Sequence, residues 1–106
     1  MSFHESAQNI RVDDGHRLVA ELQNEDGDWV HAELNLDEIL GNDNGQFQWG
    51  GENFSHTAEG TFFDIEGGAS VPILRAGLKN EEGDWNEADV NLSERIGNDN
   101  GSFVFV

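Results

Sequence analysis

Residues 35–47, Asn-Leu-Asp-Glu-Ile-Leu-Gly-Asn-Asp-Asn-Gly-Gln-Phe, return at residues 91–103 as Asn-Leu-Ser-Glu-Arg-Ile-Gly-Asn-Asp-Asn-Gly-Ser-Phe. The chain is therefore an internal duplication, and any fold it adopts must use the same segment twice. In each copy a short apolar turn runs into Gly-Asn-Asp-Asn-Gly, where the Asn-Gly step favours positive φ and ends one element before the next apolar run begins. Such a turn gathers amide and carboxylate groups, which makes it a candidate hydroxyl-binding rim present in duplicate.

A chain of 106 residues fits one domain. A copy of about fifty residues buries too little surface to stand comfortably alone, so the copies are expected to share a core and exchange elements. The hydrophobic fraction of 36% leaves out 13 glycines; with them the apolar share is about 48%, within the globular range. Five Lys and Arg against 22 Asp and Glu leave a net charge of −17, spread through both copies. Phosphate backbones and anionic headgroups would be repelled, so neither nucleic acid nor a membrane surface is expected as a partner.

The chain has no cysteine, which excludes disulfides and thiolate metal sites. Its start, Met1-Ser2-Phe3-His4-Glu5, lacks a basic segment followed by an apolar one, and no apolar run approaches membrane-spanning length. The expectation is a soluble protein without a classical signal peptide, cytoplasmic or exported by another route.

Leu18-Val19-Ala20-Glu21-Leu22 corresponds to Leu74-Arg75-Ala76-Gly77-Leu78, each with alternating apolar positions that read as a half-buried strand. Asn24 to Trp29 corresponds to Asn80 to Trp85, and a glycine within each polar cluster predicts a hairpin loop. Strands from Trp29 to Leu34 and from Trp85 to Val90 return. The stretches Leu36–Leu40 and Leu92–Ile96 are too short for a stable α-helix before a glycine and predict 3₁₀-like turns. Phe47–Trp49 and Phe103–Val106 resume extended structure. Between Ala58 and Leu74 the second copy is longer, with Gly67-Gly68 and Pro72, and the extra residues are assigned to a surface loop. Gly50-Gly51 joins the copies and reads as a flexible hinge. The expected state is a monomer, with exchange through this hinge as the route to a domain-swapped dimer. The fold class is all-β, with two pseudosymmetric halves.

This ordered set resembles the cyanovirin-N homologue family of mannose-binding lectins, in a cysteine-free fungal-type form. The resemblance covers nearly the whole chain. It rests on the two-copy layout, on Asn35-Leu36 through the Asn-Asp-Asn-Gly turn to Phe47-Gln48-Trp49, on Asn53-Phe54 followed by Thr57, and on Asn91-Leu92 to Phe105. It implies two halves, each a three-stranded sheet plus a hairpin, with strands drawn from both copies. Half A would be about residues 1–40 plus 95–106, and half B about residues 41–94. The implied activity is recognition of terminal α1→2-linked mannose on high-mannose glycans or glycoproteins, with no metal, no cofactor and no catalysis.

The family's founding member carries a disulfide in each repeat, and the matching positions here are Ala7 with Leu22 and Ala58 with Leu78. Burying a leucine contributes roughly 1.5–3 kcal/mol, comparable to the roughly 2–4 kcal/mol of a disulfide. By the same resemblance, half A would place Ser2, Glu5, Ser6, Gln23, Asn24, Glu25, Asn98 and Asn100 around one sugar pocket. Half B would place Asn42, Asp43, Asn44, Asn53, Thr57, Lys79 and Asn80 around the other. The pattern is departed from at Gly41, where the family can carry a glutamate, and at Glu81, where an arginine can reach over the sugar. Ser2 replaces a lysine, Gln23 a glutamate and Glu25 a threonine. These departures motivate a second reading, a structural or protein-interaction module on the same fold with decayed pockets.

On chemistry alone, planar amides and carboxylates can engage vicinal hydroxyls. Asn44 and Asn100 are read first as turn formers, and Asn42, Asn53 and Asn98 as sugar contacts. Net hydrogen bonds of roughly 0.5–1.5 kcal/mol each imply millimolar-to-micromolar affinity for one shallow site. Trp29 and Trp85, at equivalent strand starts, and Trp49, which matches Phe105, read as core. His4, His16, His31 and His56 show no paired metal spacing. The calcium-loop pattern fails twice, because Leu40 and Ile96 stand where it needs an acid; a looser site on Asp43 and Asp99 is the residual metal reading. No carboxylate pair, nucleophile triad or phosphate loop is singled out for catalysis.

Overall fold

The computed structural model describes residues 3–68 and 70–106. Ten strands alternate with four 3₁₀ turns. In the first copy these are a turn at Phe3–Ser6, β1 (Ala7–Asp13), β2 (Arg17–Gln23), β3 (Trp29–Asn35), a turn at Leu36–Glu38, β4 (Leu40–Asp43) and β5 (Gln46–Trp49). The second copy repeats the order with a turn at Phe54–Thr57, β6 (Ala58–Glu66), β7 (Val71–Lys79), β8 (Trp85–Asn91), a turn at Leu92–Glu94, β9 (Ile96–Asp99) and β10 (Ser102–Phe105).

Two antiparallel sheets, β1-β2-β3 and β6-β7-β8, are each completed by a two-stranded hairpin from the other copy. The β9–β10 hairpin lies against β3 and the Phe3–Ser6 turn, and β4–β5 lies against β8 and the Phe54–Thr57 turn. The halves thus exchange hairpins, and the body is drawn out to 50 × 26 × 22 Å. Neither sheet could cover its apolar face with residues of its own copy alone.

Alternation on the central strands selects the core. Leu18, Ala20 and Leu22 of β2 and Leu74, Ala76 and Leu78 of β7 are buried, joined by Leu36, Leu40, Leu92 and Ile96 from the turns and hairpins. Phe3 and Phe54, both fully buried, begin the two copies; Phe3 meets Phe103 edge-on at 5.3 Å, and Phe54 meets Phe47 at the same distance. Each ring pair ties the start of a copy to the hairpin that seals it. Ala7 is the register partner of Leu22, and Ala58 that of Leu78. The positions that hold disulfides in the founding family member are therefore cross-strand apolar pairs here.

Three expectations are corrected. Trp49 packs against the core, but its counterpart Phe105 is 44% exposed. Trp29 and Trp85 are 44% and 46% exposed and are not core residues. They open β3 and β8 opposite Gln23 and Lys79, on the outward side of the pleat, and so miss the core altogether. The longer segment of the second copy is mostly strand: Ile65 pairs with Pro72 and Glu66 with Val71, leaving only the tip beyond Glu66 as loop. Pro72 lies just beyond the last β7–β8 pair at Ile73, so no ladder donor toward β8 is required of the proline. Finally, the Gly50-Gly51 joint is packed on one side only: Gly51 lies against Gly41, while Gly50 is exposed at φ +83° in open space. Gly50 donates to the Ile39 carbonyl at 2.9 Å, and a Cβ on Gly51 would lie 2.9 Å from the Gly41 backbone.

Candidate functional site

Each end of the body brings three segments together around one asparagine. In half A, Asn98 on β9 donates Nδ2 to Ser6 Oγ at 2.8 Å and to the Gln23 carbonyl at 2.9 Å, while its Oδ1 accepts from Gly101 N at 2.8 Å. In half B, Asn42 on β4 donates to Thr57 Oγ1 at 2.9 Å and to the Lys79 carbonyl at 2.8 Å, and accepts from Gly45 N at 2.8 Å. The same bracket is built twice from opposite copies. It needs an amide, since only that side chain supplies two donors and an acceptor in one plane.

The adjoining loops are fastened in the same duplicated way. Asn100 Oδ1 accepts from Glu25 N, and Asn44 Oδ1 from Glu81 N, both at 2.9 Å. Asn44 and Asn100 hold φ near +50°, a left-handed turn that asparagine tolerates. Within each hairpin loop, Asn24 and Asn80 accept from the backbone amides two and four residues on. Gln23 Nε2 reaches the Gly27 carbonyl at 3.2 Å.

Half A therefore assembles Ser6, Gln23, Asn24, Glu25, Asn98 and Asn100; Glu5 is exposed in the same turn as Ser6, and Ser2 lies outside the described residues. Half B assembles Asn42, Asp43, Asn44, Thr57, Lys79 and Asn80. Asn53 stands beside them at the head of the Phe54–Thr57 turn, exposed, at φ 60°, with no side-chain cap bond. Lys79 extends over Trp85, with Nζ 5.9 Å from the ring centroid.

The two asparagines at the centre spend both amide hydrogens inside the protein. The groups left to meet a ligand include second lone pairs, the exposed carboxylates of Glu25 and Glu81, the hydroxyl hydrogens of Ser6 and Thr57, the Asn53 side chain, the Lys79 ammonium, and the amide nitrogens of Asn44 and Asn100, which make no hydrogen bond among the described residues. Such rims present both acceptors and donors, which matches neutral polyhydroxyl ligands, and their surplus of carboxylates repels anions. Among the described residues no group of three His, Asp or Glu side chains gathers as metal ligands.

Two features escaped the sequence reading. The Gln23 and Lys79 carbonyls are acceptors whatever side chain they carry, so residue type offers no signal. Asn86 packs against Gly45, where an added Cβ would lie 2.3 Å from its Nδ2, whereas Val30 occupies the corresponding place against Gly101. Pairing Val30 with Asn86 in the two copies would have exposed this difference between the ends.

A duplicated all-β body with an amide-framed polar rim at each end is the architecture of a family of lectins, proteins that bind carbohydrate without catalysing a reaction on it. The chain belongs to the CVNH domain family, whose model matches residues 3–104. A cyanovirin-N homolog of Neurospora crassa is 48% identical over 107 residues, spanning 97% of this chain and 96% of that protein. The NMR structure of the Gibberella zeae CVNH protein is 55% identical, with a TM-score of 0.93 over 97% of this chain and 95% of that one. A microvirin–mannobiose complex is 27% identical, with a TM-score of 0.87 over 99% and 98% of the two chains.

Proposed function

We propose that this lectin recognises terminal α1→2-linked mannose on high-mannose glycans and glycoproteins through its two end rims. The observation that carries the reading is the repeated asparagine bracket, which draws three segments from both copies into one polar rim at each end. The mannobiose bound by microvirin, a chain of the same fold at 27% identity, supports this sugar class. Asn98 and Asn42 hold the rims in shape, while the outer amides and carboxylates meet vicinal hydroxyls.

Titrating the ¹⁵N-labelled protein with α1→2 mannobiose tests this. Amide shifts at Asn98 and Gly101, or at Asn42 and Gly45, are expected at millimolar sugar, and their absence from both ends refutes the proposal. Shifts with chito-oligosaccharide and none with mannobiose would replace the sugar class. One observation favours a second reading, a structural or protein-interaction module: the donors of both central asparagines are already satisfied internally. A glycan array without any hit would favour that module.

A further inference from the structure

The outer face of the β6–β7–β8 sheet carries a groove of about 610 Å³ that belongs to neither rim bracket. Its floor is Gly77, set in register between Glu59 on β6 and Glu87 on β8, so two carboxylates flank a position with no side chain. Trp85 and Phe62 line the groove with rings 46% and 55% exposed. In the next cross-strand row, Arg75 is held by Glu66 through both terminal guanidinium nitrogens, which leaves Asp89 beside it without an ion pair among the described residues.

The first copy fills the same place with its own side chains. There the row reads Gln8, Glu21, His31, and the Glu21 carboxylate accepts from Gln8 Nε2 at 3.1 Å and Asn9 Nδ2 at 2.6 Å. One half thus has an acid held by amide donors, and the other has a gap between two acids. Lys79, in the neighbouring row, holds its ammonium over Trp85 and forms no ion pair with Glu59 or Glu87 among the described residues. The gap therefore lacks a donor, and a positively charged one suits it. A Cβ on Gly77 would meet only ordinary contacts, 3.4 Å from Glu59 and 4.0 Å from Trp85, so the trough is real space.

We propose that this groove binds a lysine side chain of a basic peptide segment. Its ammonium sits over Gly77 between Glu59 and Glu87, and its methylenes lie against Phe62 and beside Trp85, whose ring already carries the protein's own Lys79. Aromatic faces attract such a cation as well as covering its stem, and the net charge of −17 steers a basic partner inward.

The test is an NMR titration of the ¹⁵N-labelled protein with tetralysine at low salt. The Gly77 amide and the Trp85 indole N–H are expected to shift saturably. Gly77→Glu fills the trough while adding negative charge, so groove binding falls where diffuse attraction to an acidic surface would rise. A loss of about tenfold or more is expected, the scale of one good cation contact. The fold already holds a glutamate at the equivalent position 21, and unchanged resonances in the first sheet check that the variant is folded. Glu87→Gln, which keeps the shape, weakens binding as well. Equal or tighter binding to Gly77→Glu, shifts spread over the acidic loops of both halves, or shifts at Gly77 with mannotetraose and none with tetralysine would each overturn the proposal.

Discussion

Asn98 donates its side-chain amide to the Ser6 hydroxyl at 2.8 Å, across 92 positions of sequence. That bond fastens the last hairpin to the first turn and shapes one end of the molecule. Its counterpart, Asn42 to Thr57, spans only 15 positions and shapes the other. Geometrically equal, the two bonds close loops of very different length, and the half-A bond orders the larger part of the chain.

Asn98→Ala removes three hydrogen bonds and leaves Gly101 N and the Gln23 carbonyl without their partner. The expected loss is about 1–3 kcal/mol of stability, read as a lowered urea midpoint. Resonance changes should stay within half A, and mannobiose shifts at Asn42 and Gly45 should persist. Uniform change across both halves would mean that the bracket supports the whole fold.

Gly41→Glu restores the acid that the family can carry in the second pocket, yet it is expected to harm this protein. A Cβ at position 41 would lie 2.9 Å from Glu52 N and 3.0 Å from Gly51 Cα, and backbone cannot swing aside as a side chain can. Overpacking of this kind costs about 1–3 kcal/mol. Thermal unfolding should show the loss, and tighter mannose binding at undiminished stability would contradict it.

The Glu33 carboxyl is held below its ordinary value chiefly by its hydrogen bond with His31; desolvation opposes this, and the His31, Arg17 and Arg11 charges add to the lowering. A lowered folded-state pKa contributes stability that is present above the unfolded value and is lost as pH falls through the folded one. The pair is exposed, so its effect on stability is slight. The sensitive measurement is the Glu33 side-chain carboxyl shift during an acid titration. His31→Ala should raise that midpoint toward the ordinary value, and an unchanged midpoint would remove His31 as the cause.

The repeat, the strand periods and the loop glycines were legible because they are local: Leu18 to Leu22 alternates whatever surrounds it, and the glycines at 27 and 83 take φ of +82° and +87° inside short polar loops. The apolar pairs Ala7–Leu22 and Ala58–Leu78 were legible through resemblance, and the register places each pair directly opposite. Trp29 and Trp85 misled because their equivalence suggested a shared core role, while the strand's phase relative to the core, which no local pattern states, turned both outward. Gly51 misled for a similar reason: glycine reads as freedom until another glycine, Gly41, is found against it, while Gly50 beside it stays open.

Sequence alone determined that this protein is a doubled all-β chain with an amide-rich turn at equivalent points of each copy, since duplication and periodicity are carried by neighbouring residues. Tertiary structure decided which hairpin seals which sheet, and that Asn42 and Asn98 turn their amides inward to hold the rims. It also decided that Gly77 leaves a gap where Glu21 leaves none. The reason is distance along the chain: a side chain's partners 37, 75 or 92 positions away are chosen by packing, and no local pattern specifies them.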